Sequence, residues 1–364
     1  MNEAALKLLK KISSHGYKAY LVGGYPRDLY MGRDSVDYDI CTSATPKQLK
    51  IIFGDLILPA EQYGSVTLII KGIRFEITTF RREIKYLNNR KPIEIEYVDS
   101  LVEDLMRRDF TMNTMCIDSN GKLIDLLNGK EDINNKTIKT VGNADIKISE
   151  DSLRILRAIR FATILNFRLD KDLKEAIINH KELLRNLSYY RKKEELDKIF
   201  SSTNSLYGIY LIRDLGLDEV LELKNMDKLI PTTYLIGIWA QLDCLDKYNF
   251  NTTERDSIEK INELMTKDIL DYNNLYTYGL YISTIVSEIK GIDKNLVNER
   301  YNSLYITNKT DIKIEAKRIC EILNRKSGKF LKEIIDDLEY KLVNKFIKND
   351  KEELENYILD KYSA

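Results

Sequence analysis

Residues 21–42 read LVGGYPRDLYMGRDSVDYDICT, and the reading of this stretch decides the fold. Tyr20-Leu21-Val22 forms a short apolar strand that runs into the Gly23-Gly24 turn. Asp37 to Cys41 reads as a second strand. Side chains alternate across a strand, so Asp37 and Asp39 share one face and Tyr38 points the other way. Two neighbouring carboxylates repel unless a cation sits between them. A hard divalent ion such as Mg2+ meets that need, because it takes oxygen ligands and keeps positions open for phosphate oxygens. Gly23 and Gly24 let the backbone approach a ligand, and a helix starting near Pro26 aims its first amides at an anion. Arg27 adds a charge-assisted donor to the same phosphate. Each piece alone has an ordinary explanation as a strand acid, a turn or a solvated helix. Their conjunction predicts a nucleoside triphosphate held over metal.

The bulk properties narrow the class. With 364 residues the chain is long enough for two or more domains. Hydrophobic residues make up 43% and charged residues 31%, which indicates a folded, well-solvated protein. Lys+Arg and Asp+Glu both number 57, so any nucleic-acid site must arise from local clustering of basic residues. Cys41, Cys116, Cys244 and Cys320 are scattered without a C-x-x-C pair, as expected of reduced thiols. His15 and His180 are the only histidines, which excludes a histidine-rich metal site. There is no Walker loop, no secretory leader pattern, and no apolar run of ~18 residues. A cytoplasmic protein with no membrane segment and no evident protein partner is expected.

Along the chain, Ala5, Leu8, Leu9 and Ile12 have the spacing of an amphipathic helix. A helix opens around Pro46, and Ser65–Ile70 with Arg74–Phe80 form a hairpin around Lys71-Gly72. Glu76 shares a strand face with Arg74 and Thr78. The polar stretch 81–92, with a turn at Asn88-Asn89, reads as a mobile loop or as an ordinary surface hairpin. Arg107-Arg-Asp-Phe-Thr-Met-Asn113 is a dense donor cluster. From Glu150 the period becomes helical, and Asp151, Arg154, Arg157 and Arg160 recur every three residues along one ridge. Near the C-terminus Lys326, Lys329 and Lys332 form a basic cluster, with Ser327-Gly328 opening a helix whose end suits phosphate.

Three of these motifs carry a resemblance. The Gly-Gly-x-x-Arg/Asp-x-Asp stretch, R-R-D-F-T-x-N at residues 107–113 and E-D-x-x-R-x-x-R-A-x-R-F at residues 150–161 resemble the class II nucleotidyltransferases. That family contains tRNA CCA-adding enzymes and bacterial poly(A) polymerases. Thr114 stands where the family has alanine, and Ile124–Lys130 lacks the proline and first glycine of the family turn. The resemblance implies an α+β fold: an N-terminal nucleotidyltransferase head with a small mixed sheet, then an all-helical neck, body and tail. The boundaries expected are 1–138, 139–205, 206–270 and 271–364.

The resemblance also implies a chemistry. Asp37 and Asp39 hold a two-metal Mg2+ site, which Glu76 either completes as a third acid or flanks as an edge-strand residue. Gly23, Gly24, Arg27, Arg108, Asp109 and Asn113 surround the triphosphate and sugar. Asp151 and Arg154 choose the base, with Arg157 and Arg160 in support. Cytosine and adenine each present an amine beside an unprotonated ring nitrogen, which suits an acceptor–donor pair. Uracil and guanine present a carbonyl beside an N–H, so both contacts would fail. The partners implied are CTP, ATP and the tRNA 3′ end, and the reaction implied is template-independent CCA addition. The resemblance gives the loop at 81–92 a part in switching to A addition, and it makes Lys326, Lys329 and Lys332 RNA contacts. Narrower A-adding, CC-adding or poly(A)-adding enzymes and a non-catalytic RNA-binding protein are the alternatives.

Overall fold

The computed structural model describes residues 2–54, 57–60, 64–87 and 91–363. The chain forms two compact units, Met1–Leu223 and Lys224–Ala364. The expected boundaries at 138/139, 205/206 and 270/271 thus do not coincide with the division between units, which falls at 223/224. The helix Ser205–Asp214 belongs to the first unit because Gly208 lets it come close. A Cβ at Gly208 would lie 2.5 Å from Ile199 Cγ2 and 2.6 Å from Thr163 Oγ1.

The N-terminal unit is built on a mixed sheet. Its strands are β1 (Ala19–Val22), β2 (Tyr38–Thr42), β3 (Ile57–Ala60), β4 (Ser65–Ile70) and β5 (Ile73–Thr79), joined by β8 (Cys116–Ile117) and β9 (Leu123–Ile124). The order is β3-β4-β5-β2-β1-β8-β9. β2 and β5 are parallel, with Asp39 paired to Glu76, and β1 runs antiparallel to β2, with Val22 paired to Asp39. One sheet face buries Leu21, Ile40, Phe75 and Ile77 against α1 (Glu3–Ser14) and Leu49, Ile52 and Phe53 of α3 (Pro46–Phe53). Burying such side chains stabilises by about 1.5–3 kcal/mol each, which fixes the register. α1 hides the four apolar residues expected of it, and Asn2 Oδ1 caps it by accepting from the Ala4 amide at 2.8 Å. α3 opens with a Thr45/Gln48 capping box.

With one face committed to that core, alternation sends Asp39 and Glu76 to the other. There they border a smaller apolar cluster of Val22, Cys41, Phe80, Leu105 and Cys116. The turn from β1 opens α2 (Gly24–Tyr30), two residues earlier than expected, with Gly23 at φ +84°.

β6 (Arg81–Leu87) and β7 (Lys91–Tyr97) pair antiparallel as a separate two-stranded sheet. Of the two expectations for this stretch, a mobile loop or an ordinary surface hairpin, the strands form the hairpin, and the turn at Asn88-Asn89 lies outside the described residues. Its base is anchored by Glu83, which pairs with Arg81 at 3.1 Å and Arg107 at 3.5 Å. α4 (Leu101–Met106) leads into the Arg107-Arg108-Asp109 stretch, and α5 (Gly129–Asn134) follows β9. Then β10 (Thr137–Ile138) pairs in parallel with β11 (Arg168–Leu169), flanking α6 (Ala144–Glu150) and α7 (Leu153–Leu165). α8 (Lys171–His180) and α9 (Tyr189–Phe200) complete the helices that support this region.

The C-terminal unit is helical among the described residues. Its longest element, Tyr272–Lys290, is broken at Gly279, whose φ of 73° no helix holds. Ile306, Ile319, Ile334, Leu338, Leu342, Leu354 and Ile358 form its core. The helix expected to open at Ser327-Gly328 begins instead at Phe330, with Lys329 as its cap residue.

Candidate active site

The site lies on the sheet face away from the main core. Asp39 is half-buried on β2, and Asp37 is exposed just before that strand. Burial, reinforced by the charge of Asp37, pushes the Asp39 carboxyl up to about 6, although Arg108 and Arg157 pull it down. A carboxylate in this position calls for a cation. Gly23 faces it closely: a Cβ there would lie 3.2 Å from Asp39 Oδ2 and 4.0 Å from Arg108 Nη1. The glycine is needed for that approach as well as for its backbone angle. Glu76 sits beside Asp39 in register but is exposed and paired with Arg74 at 2.7 Å. Among the described residues no cluster of three metal-binding side chains is preformed. A carboxylate pair suits a hard ion that keeps waters and phosphate oxygens as its remaining ligands.

Arg108 is half-buried, with Nη1 beside the Gly23 turn and Nη2 on Asp104. Burial opposes its charge most strongly, but the Asp104 carboxylate, 3.2 Å from Nη2, and other neighbouring groups together hold the guanidinium above its ordinary range. Its Nε is buried without a partner among the described residues. Asp104 is fully buried and also receives Arg107 Nε at 2.9 Å and the Arg81 amide at 3.3 Å.

A continuous chain of hydrogen bonds joins α2 to α7. Asp28 accepts Arg27 Nε at 3.0 Å and Nη2 at 2.9 Å, and Arg27 Nη1 donates to Asn113 Oδ1 at 2.7 Å. Asn113 Nδ2 donates to Asp109 Oδ1 at 3.1 Å, and Asp109 Oδ2 accepts Arg157 Nε at 2.9 Å and Nη2 at 2.6 Å. Burial would raise the Asp109 carboxyl, but the Arg157 guanidinium and the Asn113 amide win and hold it well below the usual carboxylate range. Arg27, expected to reach a phosphate, is thus largely committed to Asp28 and Asn113. Gly24 leaves room for it, since a Cβ there would lie 3.6 Å from Arg27 Nη2.

Phe161 is the hub of this network. Its ring lies 5.2 Å from the Arg27 guanidinium, 5.6 Å from that of Arg157 and 4.0 Å from that of Arg160. Three cations on one ring would repel, and each has its own carboxylate: Asp28, Asp109 and Glu195, the last 2.6 Å from Arg160 Nε. Arg160 accordingly braces α7 against α9.

Asp151 differs from its expected place. It precedes α7, in extended backbone at φ −144° and ψ 101°, and its Oδ1 accepts the Leu153 amide at 3.0 Å. Burial pushes its carboxyl up, while Arg154 pulls it down. Arg154 is buried and held by Lys147 O at 2.7 Å, Glu150 at 2.9 Å and Arg107 O at 3.3 Å. Asp151 and Arg154 thus stand together at the start of α7. Lys326, Lys329 and Lys332 belong to the other unit, exposed around the start of the helix Phe330–Val343.

Asp28, Asp104, Phe161 and Glu195 were not singled out from the sequence. Asp104 had a readable signal, standing three and four residues before Arg107 and Arg108. A cavity of about 890 Å3 elsewhere in this unit is lined by residues that include Thr111, Asn128, Asp132, Lys139, Arg168 and Asp170. Two of its acids are engaged, Asp132 by Thr111 Oγ1 at 2.6 Å and Asp170 in capping α8.

The Asp109–Arg157 pair gives a stability prediction. Arg157→Met is expected to cost about 1–3 kcal/mol near pH 7, because Asp109, largely shielded from solvent, loses its counter-charge. The lowered Asp109 value stabilises the fold above its unfolded value of about 3.9 and is lost as pH falls. The variant's stability should therefore fall less steeply on acidification, as denaturant titrations at several pH values would report. A wild-type-like acid profile would contradict the pairing.

Comparison with known proteins agrees along the whole chain. Residues 19–139 match the "Poly A polymerase head domain" model, 166–226 the "Probable RNA and SrmB- binding site of polymerase A" and 233–358 "tRNA nucleotidyltransferase domain 2 putative". A CCA-adding enzyme of Staphylococcus saprophyticus is 31% identical over 98% of each chain. One from Ligilactobacillus salivarius is 33% identical over 96% of this chain and 94% of its own. The crystal structure of the Bacillus stearothermophilus CCA-adding enzyme in complex with CTP superposes with a TM-score of 0.82 at 28% identity, covering 99% of this chain and 98% of that one. The Thermotoga maritima CCA-adding enzyme complexed with tRNA shares the fold at a TM-score of 0.72 and 22% identity, covering 99% and 96%. With a carboxylate pair under a glycine turn and relatives above 30% identity over nearly its full length, the chain belongs to the metal-dependent tRNA nucleotidyltransferase family of CCA-adding enzymes.

Proposed function

We propose that this chain completes the 3′ end of tRNA, adding C, C and A from CTP and ATP without a template and releasing pyrophosphate. The observation that carries this reading is the position of Arg157. It is tied to Asp109, the neighbour of Arg108, while Arg108 and Asp39 both approach Gly23, which supports one space bordered by the carboxylate pair and the base-selecting pair. Asp151 accepts the exocyclic amine of cytosine or adenine, and Arg154, held by Glu150 and two carbonyls, donates to the ring nitrogen. Arg108 and the Gly23-Gly24 turn meet the triphosphate, and Asp109 and Asn113 hold Arg157 and Arg27 in place around it. The tRNA 3′ oxygen attacks the α-phosphorus, and the bond to the pyrophosphate oxygen breaks. Mg2+ ions bound by Asp37 and Asp39, with Glu76 beside them, would supply charge stabilisation and ease loss of the hydroxyl proton. Lys326, Lys329 and Lys332 contribute to RNA binding through local basic charge, and the finer division into head, neck, body and tail follows the same reading. Substrates of this kind support a cytoplasmic location.

The test uses tRNA ending before CCA, in CC and in CCA, each with one labelled nucleotide at a time. C is expected on the first, A alone on the second, and nothing on the third. Addition of A alone to every end would support a poly(A) enzyme, and absence of C addition an A-adding one. With the β6–β7 hairpin shortened, C addition should persist and A addition stop. Equal A addition would leave the hairpin with no part in switching.

A further inference from the structure

The C-terminal unit holds a cavity of about 430 Å3 that the chemistry above does not use. Three aromatic residues line it: Tyr234 just before the helix Leu235–Gln241, Trp239 within that helix, and Tyr281 of the helix Tyr272–Lys290. The Tyr234 and Tyr281 rings meet edge to face at 5.5 Å. Trp239 is 2% exposed and packs on Tyr248 at 5.0 Å and Phe250 at 5.4 Å, whereas Tyr281 is 53% exposed.

The walls are fixed without a ligand. Gly237 lets the helix Leu235–Gln241 close on its neighbour, since a Cβ there would lie 2.7 Å from both Ile285 Cγ2 and Thr232 Oγ1. Thr232 Oγ1 donates to Tyr234 O at 2.7 Å, and the Thr233 amide donates to Glu288 at 2.8 Å. These bonds tie the turn that carries Tyr234 to the helix that carries Tyr281. Glu254, in the first turn of the helix Thr252–Met265, also lines the cavity. It belongs to a capping box: its Oε2 accepts the Asn251 amide at 2.9 Å, and Asn251 Oδ1 accepts the Glu254 amide at 2.9 Å. The carboxylate is thereby held in place in the lining.

Each feature of the lining selects against a class of ligand. The face of an aromatic ring carries partial negative charge and attracts a cation. Among the described residues the lining contains no lysine or arginine, and Glu254 is its only charged side chain, so an anion is disfavoured. A neutral apolar ligand would strip water from that carboxylate without replacing it. A Ca2+ or Mg2+ ion needs about six oxygen ligands and finds one carboxylate among aromatic walls. An alkylated ammonium ion suits both the rings and the carboxylate. The volume falls within the roughly 300–1,000 Å3 of small-molecule sites. We propose that this cavity binds a small organic ammonium ion, its alkylated nitrogen against Tyr234, Trp239 and Tyr281 and its charge balanced by Glu254. Thr253 and Ser257, in the same lining, offer hydroxyls to a polar arm on such a molecule. The nucleotide-binding residues lie in the N-terminal unit, so this is a separate ligand site, and it does not depend on the tRNA reading.

Trp239 is the only tryptophan of the chain and reports on its own cavity. Choline is titrated into the full chain at constant ionic strength while tryptophan emission is followed. A parallel titration uses 3,3-dimethyl-1-butanol, an uncharged molecule of the same shape. A saturable change is expected with choline, at an affinity at least about tenfold above that of the neutral analogue. Choline should also raise the melting temperature, because it binds only the folded state. Tyr281→Leu should weaken choline binding by about tenfold. That side chain is half exposed, so the fold should survive the change. Glu254→Gln keeps an oxygen for the Asn251 amide, and it should erase most of the preference for the charged ligand. A response that rises linearly without saturating would overturn the proposal. Equal affinity for the neutral analogue in the unmutated chain, or unchanged choline affinity in both variants, would do the same.

Discussion

Asp39→Asn is expected to abolish nucleotide transfer while making the metal-free protein more stable at pH 7.5. Asp39 is the half-buried member of the carboxylate pair, and its carboxyl is pushed up to about 6 by burial and by Asp37. A raised carboxyl stabilises the fold fully below its unfolded value of about 3.9, and that stability is lost as pH rises through 6. Two pH units correspond to at most about 3 kcal/mol. Removing the charge relieves this cost, and melting temperature should rise by roughly 2–4 °C for each kcal/mol recovered. Transfer should fall by about 1000-fold or more, a barrier increase of about 4 kcal/mol. Linkage adds a second signature. Mg2+ competes with the proton on Asp39, so it should stabilise the wild type more at pH 7.5 than at pH 5 and have little effect on the variant. Turnover within tenfold of wild type, or a destabilised apo variant, would contradict the metal-site assignment.

Asp151→Asn is expected to redirect base choice. Asn keeps an oxygen for the Leu153 amide, so the start of α7 should survive. The other arm changes from acceptor to donor. It then opposes the amine of cytosine or adenine and suits the O4 carbonyl of uracil. Preference for CTP over UTP should drop by at least about 100-fold, well within the 10^4–10^5 that a buried hydrogen-bonding site discriminates. Initial rates with each nucleotide on tRNA ending before CCA would measure it. If selectivity held while the melting temperature fell, Asp151 would serve only to start the helix.

Much of the head was legible because its signals are local. The apolar spacing of α1 depends only on the helix period and survives in the structure, while β2 begins at Tyr38 and leaves Asp37 just before the strand. Pairings at long range were not legible. Nothing local says that Arg27 meets Asn113, 86 residues away, or that Arg160 meets Glu195. The three-residue spacing through Asp151, Arg154, Arg157 and Arg160 suggested one ridge with one purpose. Instead Asp151 precedes the helix, Arg157 turns to Asp109, and Arg160 to Glu195. Periodicity places residues on a face but does not choose among the partners across from it. For residues 81–92, polarity left a mobile loop and a surface hairpin both open, and the pairing of β6 with β7 bears out the hairpin.

The central claim is that one pocket, bordered by Asp39, Arg108, Asp151 and Arg154, serves both CTP and ATP. Equilibrium dialysis with the two nucleotides labelled differently tests it most directly, in the presence of Mg2+ and the absence of tRNA. The account predicts one nucleotide bound per chain in total, with CTP displacing ATP competitively. It also predicts that Asp151→Asn weakens both. Simultaneous binding of CTP and ATP to one chain, or loss of only one of them in the Asp151 variant, would contradict it.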